Sequence, residues 1–202
     1  MPGELTAKGK ATRSRIVEGA AAVLREKGVG SATLDDIMAR TSTSKSQLFH
    51  YFPAGKDELL VAVAQFEADQ VLEDQQPYLG CLDSWAAWER WRDVVIRRYE
   101  AQGDQCPLGA LFLQVGRSTP GARAIVIELL RRWQESLAVG IRGLQAAGRL
   151  PAELDADARA AALLAAIQGG VSILLSTGRS THLRVALDQG IADLRRAGRA
   201  VA

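Results

Sequence analysis

The chain has 202 residues, of which 48% are hydrophobic and 24% charged, with a formal net charge of +2. These totals fit an ordinary globular protein with one sizeable domain or two small ones, and enough apolar material for a core. The two cysteines, Cys81 and Cys106, have neither a metal-ligand spacing nor the density of a disulfide framework. The opening "MPGELTAKGK" lacks the apolar centre of a signal peptide, and no run of about 18 consecutive apolar residues is evident, so the expectation is a cytoplasmic protein with no membrane span. The layout of charge is uneven. All five lysines lie within the first 56 residues, and residues 8 to 28 carry six basic and two acidic groups, whereas residues 61 to 202 carry sixteen of each. A basic section on a neutral body suggests an anionic partner for that section; a solvated helix face fits it equally well.

Helical periodicity runs throughout, with no convincing strand. A first helix is expected over roughly residues 10 to 27, with Ile16, Val17, Ala20, Val23 and Leu24 on one face and Gly28 as its stop. Thr33, followed by Asp36, reads as a variant capping box opening a short second helix over about 34 to 40. Ser44 with Gln47 is a full S-x-x-Q capping box. "SKSQLFHY" is therefore a helix start, and the turn before it is only Thr41 to Thr43. After Pro53 and Gly55, Lys56 opens a fourth helix to about 75 with Leu59, Leu60, Val63 and Phe66 in its stripe. A fifth spans about 84 to 101, carrying Trp88, Trp91, Val95 and Tyr99 on one face. Pro107 suits the first position of a sixth helix to about 115. Thr119-Pro120 opens a long seventh, with Val126, Leu129, Leu130, Trp133, Leu137, Ile141 and Leu144. Asp155 caps an eighth to about Thr177, and Ser180 or Thr181 caps a ninth to about Ala197. The fold class is all-α, with about nine helices.

Two short helices joined by a three-residue turn make a helix-turn-helix, whose second helix enters the DNA major groove with its first residues against base edges. On this reading Ser44, Lys45, Ser46 and Gln47 are polar because they face DNA, while Leu48 and Phe52 anchor the helix on a small three-helix core. The segment "TLDDIMARTSTSKSQLFHYFPAGKDEL", residues 33 to 59, resembles the DNA-binding segment of the TetR (tetracycline repressor) family. With the first helix the resemblance covers about residues 10 to 60; beyond that only the number and length of helices match. Two positions depart from the pattern. Ser42 stands where glycine is common, at a cost of about 1 kcal/mol if the turn needs positive φ. Phe49 stands where tyrosine is usual, which leaves packing or a thymine methyl contact in place of a phosphate bond.

The resemblance implies a DNA-binding domain over residues 1 to 55 and an effector-binding, dimerising domain over 56 to 202. It also implies a homodimer that binds palindromic operator DNA, most often as a repressor, and lets go when a small lipophilic or aromatic effector repositions helix four. Gln47 is the first choice for base reading, since glutamine pairs bidentately with adenine; the capping role alone is the alternative. Lys45 reads guanine or grips phosphate, Ser44 is a cap first and a contact second, and His50 and Tyr51 are phosphate donors, with a structural role as the alternative for His50. Thr33 and Lys56 sit at helix starts, which collect phosphate through free N–H groups. Lys8, Lys10 and Arg13 add salt-dependent affinity without sequence information.

Farther along, Trp85, Trp88, Trp91, Tyr99, Phe112 and Trp133 concentrate large rings that read either as core or, with Phe66, as a ligand pocket. Small residues at Ala161, Ala162, Ala165, Ala166, Gly169 and Gly170 suit close helix packing, and the resemblance implies a two-fold interface through the last two helices. Cys106 at a helix start is a candidate thiol sensor, with an inert buried thiol as the alternative. An enzyme is disfavoured because H-E-x-x-H, G-x-S-x-G, P-loop and dinucleotide motifs are all missing, and no cofactor or metal site suggests itself. Rival readings are an activator, and an all-helical interaction protein that never touches DNA.

Overall fold

The structure, a computed structural model, describes residues 5–103, 106, 109 and 115–199. Among these residues there are eight α-helices and no strand: α1 Ala7–Lys27, α2 Leu34–Thr41, α3 Lys45–Tyr51, α4 Lys56–Glu73, α5 Trp85–Gln102, α6 Pro120–Ala146, α7 Ala156–Thr177 and α8 Thr181–Arg199. A 3-10 turn covers Val115–Arg117. The sixth helix expected from Pro107 lies almost wholly outside the described residues. The chain divides into two compact units, Met1–Gln70 with Ala110–Ile127, and Val71–Gly109 with Glu128–Ala202.

In the first unit each helix boundary has a local chemical cause. Thr6 accepts a bond from the Gly9 amide and starts α1 a turn earlier than periodicity suggests. Thr33 and Asp36 complete a reciprocal capping box on α2, and Ser44 and Gln47 do the same on α3. Between these helices Ser42 adopts φ 49 and ψ 46, the left-handed conformation expected of the turn, and it is the one non-glycine residue with positive φ among the described residues. Ser42→Gly is therefore expected to stabilise the protein by about 0.5–1 kcal/mol. Denaturant unfolding checks this, and an unchanged midpoint would show that the serine is unstrained.

The core of this unit is built from Ile16, Val17, Ala20, Ala21, Val23 and Leu24 of α1, Ile37 of α2, Leu48 and Phe52 around α3, and Leu59, Leu60, Val63 and Ala64 of α4. Gly19 lets α1 and α2 approach closely, since a Cβ there would lie 2.2 Å from Thr41 Cγ2. Thr41 in turn donates to Ile37 O at 2.8 Å and lies 2.9 Å from Thr43 Oγ1, and its own carbonyl accepts from Arg15 Nη1 at 2.8 Å.

The second unit packs α5 and α7 against α8. Three ion pairs tie α5 to α8: Arg92–Asp188 at 2.9 Å, Arg184–Glu100 at 2.8 Å and Arg195–Glu89 at 2.8 Å. Trp88, Trp91 and Trp133 are fully buried. Among the described residues α7 alone is long and apolar enough to cross a membrane by length and composition, with a mean hydropathy of 1.7 over its most apolar window. Alanine and glycine make that composition without giving a run of large apolar residues. Its apolar character is used for close packing on α8: Gly170 sits where a Cβ would meet Leu183 Cα at 2.6 Å, and Gly190 of α8 receives Leu163.

Candidate nucleic-acid interface

The exposed face of α3 follows from two opposed demands. Leu48 and Phe52 are both 0% exposed and pin the helix to the core. Ser44, Lys45, Ser46, Gln47, Phe49 and His50 are exposed, and Tyr51 is half-buried. Phe49, at 39% exposure, is one of the few large apolar side chains left open. His50 and Tyr51 meet edge to face with centroids 4.9 Å apart. Beneath the helix the Arg13 guanidinium stands 5.0 Å from the Phe52 ring centroid, a cation–π contact that fixes this basic group to the core.

Gln47 carries two roles at once. Its Oε1 accepts from the Ser44 amide at 3.2 Å, and its own amide donates to Ser44 Oγ at 3.2 Å. Bidentate pairing with adenine needs that Oε1 as well as the Nε2 group, so reading a base this way exchanges one capping bond for a base contact. Lys56 also has internal work. Its ammonium donates to Val29 O at 3.0 Å and Ala32 O at 2.6 Å, clamping the start of α4 to the loop after α1. One proton of the ammonium and the first amides of α4 remain for a phosphate. Thr33 is exposed at the start of α2 but donates its hydroxyl to Asp36 at 2.8 Å.

Spacing could not reveal how much of the basic section is internally neutralised. Arg25 pairs with Glu67, Lys27 with Asp36 and Arg40 with Glu26, while Arg15 serves a backbone carbonyl. The net positive charge of residues 8 to 28 therefore overstates what faces outward. The Lys27 hydrogen bond at 2.6 Å and the Thr33 amide and hydroxyl hold the Asp36 carboxyl down at about 2. A depressed folded-state pKa means the stabilisation is present above the ordinary carboxylate range and is lost as pH falls toward 2. The α2 capping box is expected to open only in that acid window. Titration of the Asp36 carboxyl by NMR checks it, and a midpoint near 4 would contradict the geometry.

The candidate effector residues fall into different environments. Phe66 is half-buried and lines a cleft of about 820 Å³ between α1 and α4 of the first unit, with Lys10, Arg13, Glu58 and Asp69 at its edges. Trp88 and Trp91 pack edge to face at 5.7 Å, their indole N–H groups donating to Leu82 O and Gln75 Oε1. They are core residues with satisfied donors. Trp133 is equally buried, but its Nε1 has no hydrogen-bond partner among the described residues. Tyr99 is buried too, and burial, with Cys106 and Asp74 nearby, pushes its phenol well above the ordinary range. Phe112 lies outside the described residues. Cys106 is 1% exposed, the environment of an inert thiol, whereas Cys81 is exposed. On the last two helices Ala162, Ala165 and Gly169 face outward and a Cβ at Gly169 would meet nothing, whereas Gly170 is committed to packing within the subunit. Among the described residues no cluster of His, Cys, Asp and Glu could hold a metal ion.

Comparison with known proteins bears on the geometry. Residues 16–63 match the family model of bacterial regulatory proteins of the tetR family, and residues 84–189 match the tetracyclin repressor-like C-terminal domain. The chain spans about half the length of the first curated relatives it matches, two uncharacterised HTH-type regulators of Mycobacterium tuberculosis. It is 28% identical over 154 residues to the transcriptional regulator AcuR of Cereibacter sphaeroides, covering 73% of this chain and 69% of AcuR. Among solved structures, a TetR transcriptional regulator from Chloroflexus aurantiacus superposes with a TM-score of 0.76 at 25% identity, covering 93% of this chain and 96% of the other. The SmeT–triclosan complex superposes with a TM-score of 0.72 at 19% identity over 91% of each chain, a likeness of fold alone. With the C-terminal model alone spanning more than half of the sequence, and a helix-turn-helix head in front of it, the chain belongs to the TetR family of DNA-binding transcriptional regulators, which are not enzymes.

Proposed function

We propose that the protein is an effector-responsive repressor that binds a palindromic operator as a homodimer, in the cytoplasm, with residues 1 to 55 reading DNA and residues 56 to 202 binding effector and dimerising. The observation that carries this reading is the polar, exposed first turn of α3 held over the buried pair Leu48 and Phe52. In this reading Gln47 discriminates bases and Lys45, Ser46, His50 and Tyr51 meet phosphates or base edges. Phe49 supplies an apolar contact for a thymine methyl, and Ser44, Thr33 and Lys56 position helix starts against the backbone. The outward small residues of α7 support a two-fold packing of α7 and α8, which sets two copies of α3 about 34 Å apart, one DNA turn.

The effector is a small lipophilic or aromatic molecule. Triclosan, bound by SmeT, is of that kind. Tyr99 and Trp133 are its proposed contacts in the second unit, and the unpaired Trp133 Nε1 favours an effector bearing a hydrogen-bond acceptor. Trp88 and Trp91 support that site from the core, and Phe66 is a proposed contact in the first unit's own cleft. The effector works by preferring the arrangement that does not fit DNA, because only differential affinity shifts the equilibrium. Selection from a random-sequence duplex pool, followed by gel shift with hydrophobic acceptor-bearing compounds, tests this. An enriched palindrome released by such a compound is expected; the absence of any enriched sequence would overturn the reading.

A further inference from the structure

α4 faces the first unit's core with a stripe of Leu59, Leu60, Val63 and Ala64, all nearly or fully inaccessible, and the next position on that stripe is Glu67, 1% exposed. Helical periodicity would place an apolar side chain there. The carboxylate instead meets Arg25 Nη1 from the last turns of α1. The pair is incompletely bonded: Glu67 Oε2 and Arg25 Nε are buried without a hydrogen-bond partner among the described residues. A buried ion pair bonded through one atom on each side is a poor device for stability, because desolvation of both charges offsets their attraction, and apolar residues of like volume hold such a site as well or better. In some proteins a buried polar pair of this kind serves to specify register instead.

A second polar tie lies at the other end of α4, where Lys56 is bound to Val29 O and Ala32 O. The two ties stand about three turns apart, roughly 16 Å along the helix. Two fixed points so separated set the direction of α4 against α1, and α1 carries α2 and α3 through Gly19, Thr41 and Arg15.

We propose that Arg25 and Glu67 form a latch, with Lys56 as the hinge, that fixes the angle between α4 and the reading head and thereby the half-site spacing the dimer accepts. Arg25 and Glu67 are positioning residues: neither is placed against DNA. The inference rests on the proposed function, since spacing is read only by a dimer on a two-part site. In an unlatched protein the part of α4 beyond the buried Leu59, Leu60, Val63 and Ala64 stripe is released from α1, and the heads accommodate operators that the latched protein rejects.

The test uses the full-length protein and the duplex selected from a random pool by the wild type, together with versions of that duplex whose half-sites are one base pair closer or farther apart. One base pair shifts a half-site by about 3.4 Å and about a tenth of a turn, so the latched protein is expected to lose about tenfold or more in affinity on either altered duplex. The double variant Arg25→Met/Glu67→Leu is expected to unfold at or above the wild-type temperature yet to bind all three duplexes within about threefold of one another. Glu67→Gln keeps the side-chain shape and removes the charge; it is the second variant, expected to lose the spacing preference likewise. Arg25→Lys retains a cation and is expected to keep it. A merely structural role changes the folded fraction and hence all three affinities together, leaving their ratio unmoved. A pool that yields no site removes the proposed function itself; a site whose spacing preference survives in both unlatched variants overturns the latch alone.

Discussion

Replacing Gly19 with alanine is expected to destabilise the protein by about 1–3 kcal/mol, despite the roughly 1 kcal/mol that alanine gains over glycine inside a helix. The new Cβ would lie 2.2 Å from Thr41 Cγ2. That methyl has little room to yield. Rotating it away breaks the Thr41 hydroxyl bonds to Ile37 O and Thr43, and shifting the backbone disturbs the carbonyl held by Arg15. Thr41 ends α2 and enters the turn to α3, so the displacement reaches the recognition helix, and DNA affinity is expected to fall by more than the unfolded fraction explains. Removing the obstructing methyl in Gly19→Ala/Thr41→Ser is expected to restore most of the stability. Urea denaturation of the parent, Gly19→Ala, Thr41→Ser and the double variant checks both halves; a Gly19→Ala protein as stable as the parent would mean that α1 and α2 are less closely packed than the distance indicates.

The second large effect is on specificity. Gln47→Ala is expected to lose about 1–3 kcal/mol of discrimination at one base position in each half-site, and also to lose the bond from the Ser44 amide to its side chain. Gln47→Glu separates these effects, because glutamate keeps the capping box while reversing the preference from adenine toward a cytosine amino donor. With Lys45 on a phosphate, Lys45→Ala is expected to weaken binding to all sequences alike and to lower the slope of log affinity against log salt by about one. Affinities over a panel of operator variants at two salt concentrations decide it. Parallel losses for Gln47→Ala and Lys45→Ala across that panel would contradict the division of labour.

Much of this architecture was legible in the sequence because local chemistry dictates it. The capping boxes at Thr33 and Ser44, the cap at Asp155 and the left-handed turn at Ser42 need only neighbours within a few residues, and each stands where the sequence indicates. The stripe of Trp88, Trp91, Val95 and Tyr99 is likewise buried as periodicity predicts. What could not be read depends on which helices meet, and at what register. Glu67 looks like a solvated helical glutamate until α1 brings Arg25 to it. Lys56 looks like a free phosphate ligand until the loop after α1 presents two carbonyls. The basic patch of α1 looks larger than it is because Asp36 of α2 and Glu67 of α4 come to Lys27 and Arg25. The same limit applies to the aromatic cluster: composition marks the rings, but only packing separates Trp88 and Trp91, whose N–H groups are satisfied, from Trp133, whose N–H is not.

The central physical claim is that the first turn and exposed face of α3 enter the duplex. Solution NMR of the isotope-labelled protein, titrated with its selected duplex, tests this most directly. The account predicts that the largest amide shift changes cluster at residues 44 to 51, with smaller ones at Thr33 and Lys56, while the amides of α7 and α8 move little. A duplex that binds yet leaves residues 44 to 51 undisturbed would contradict it.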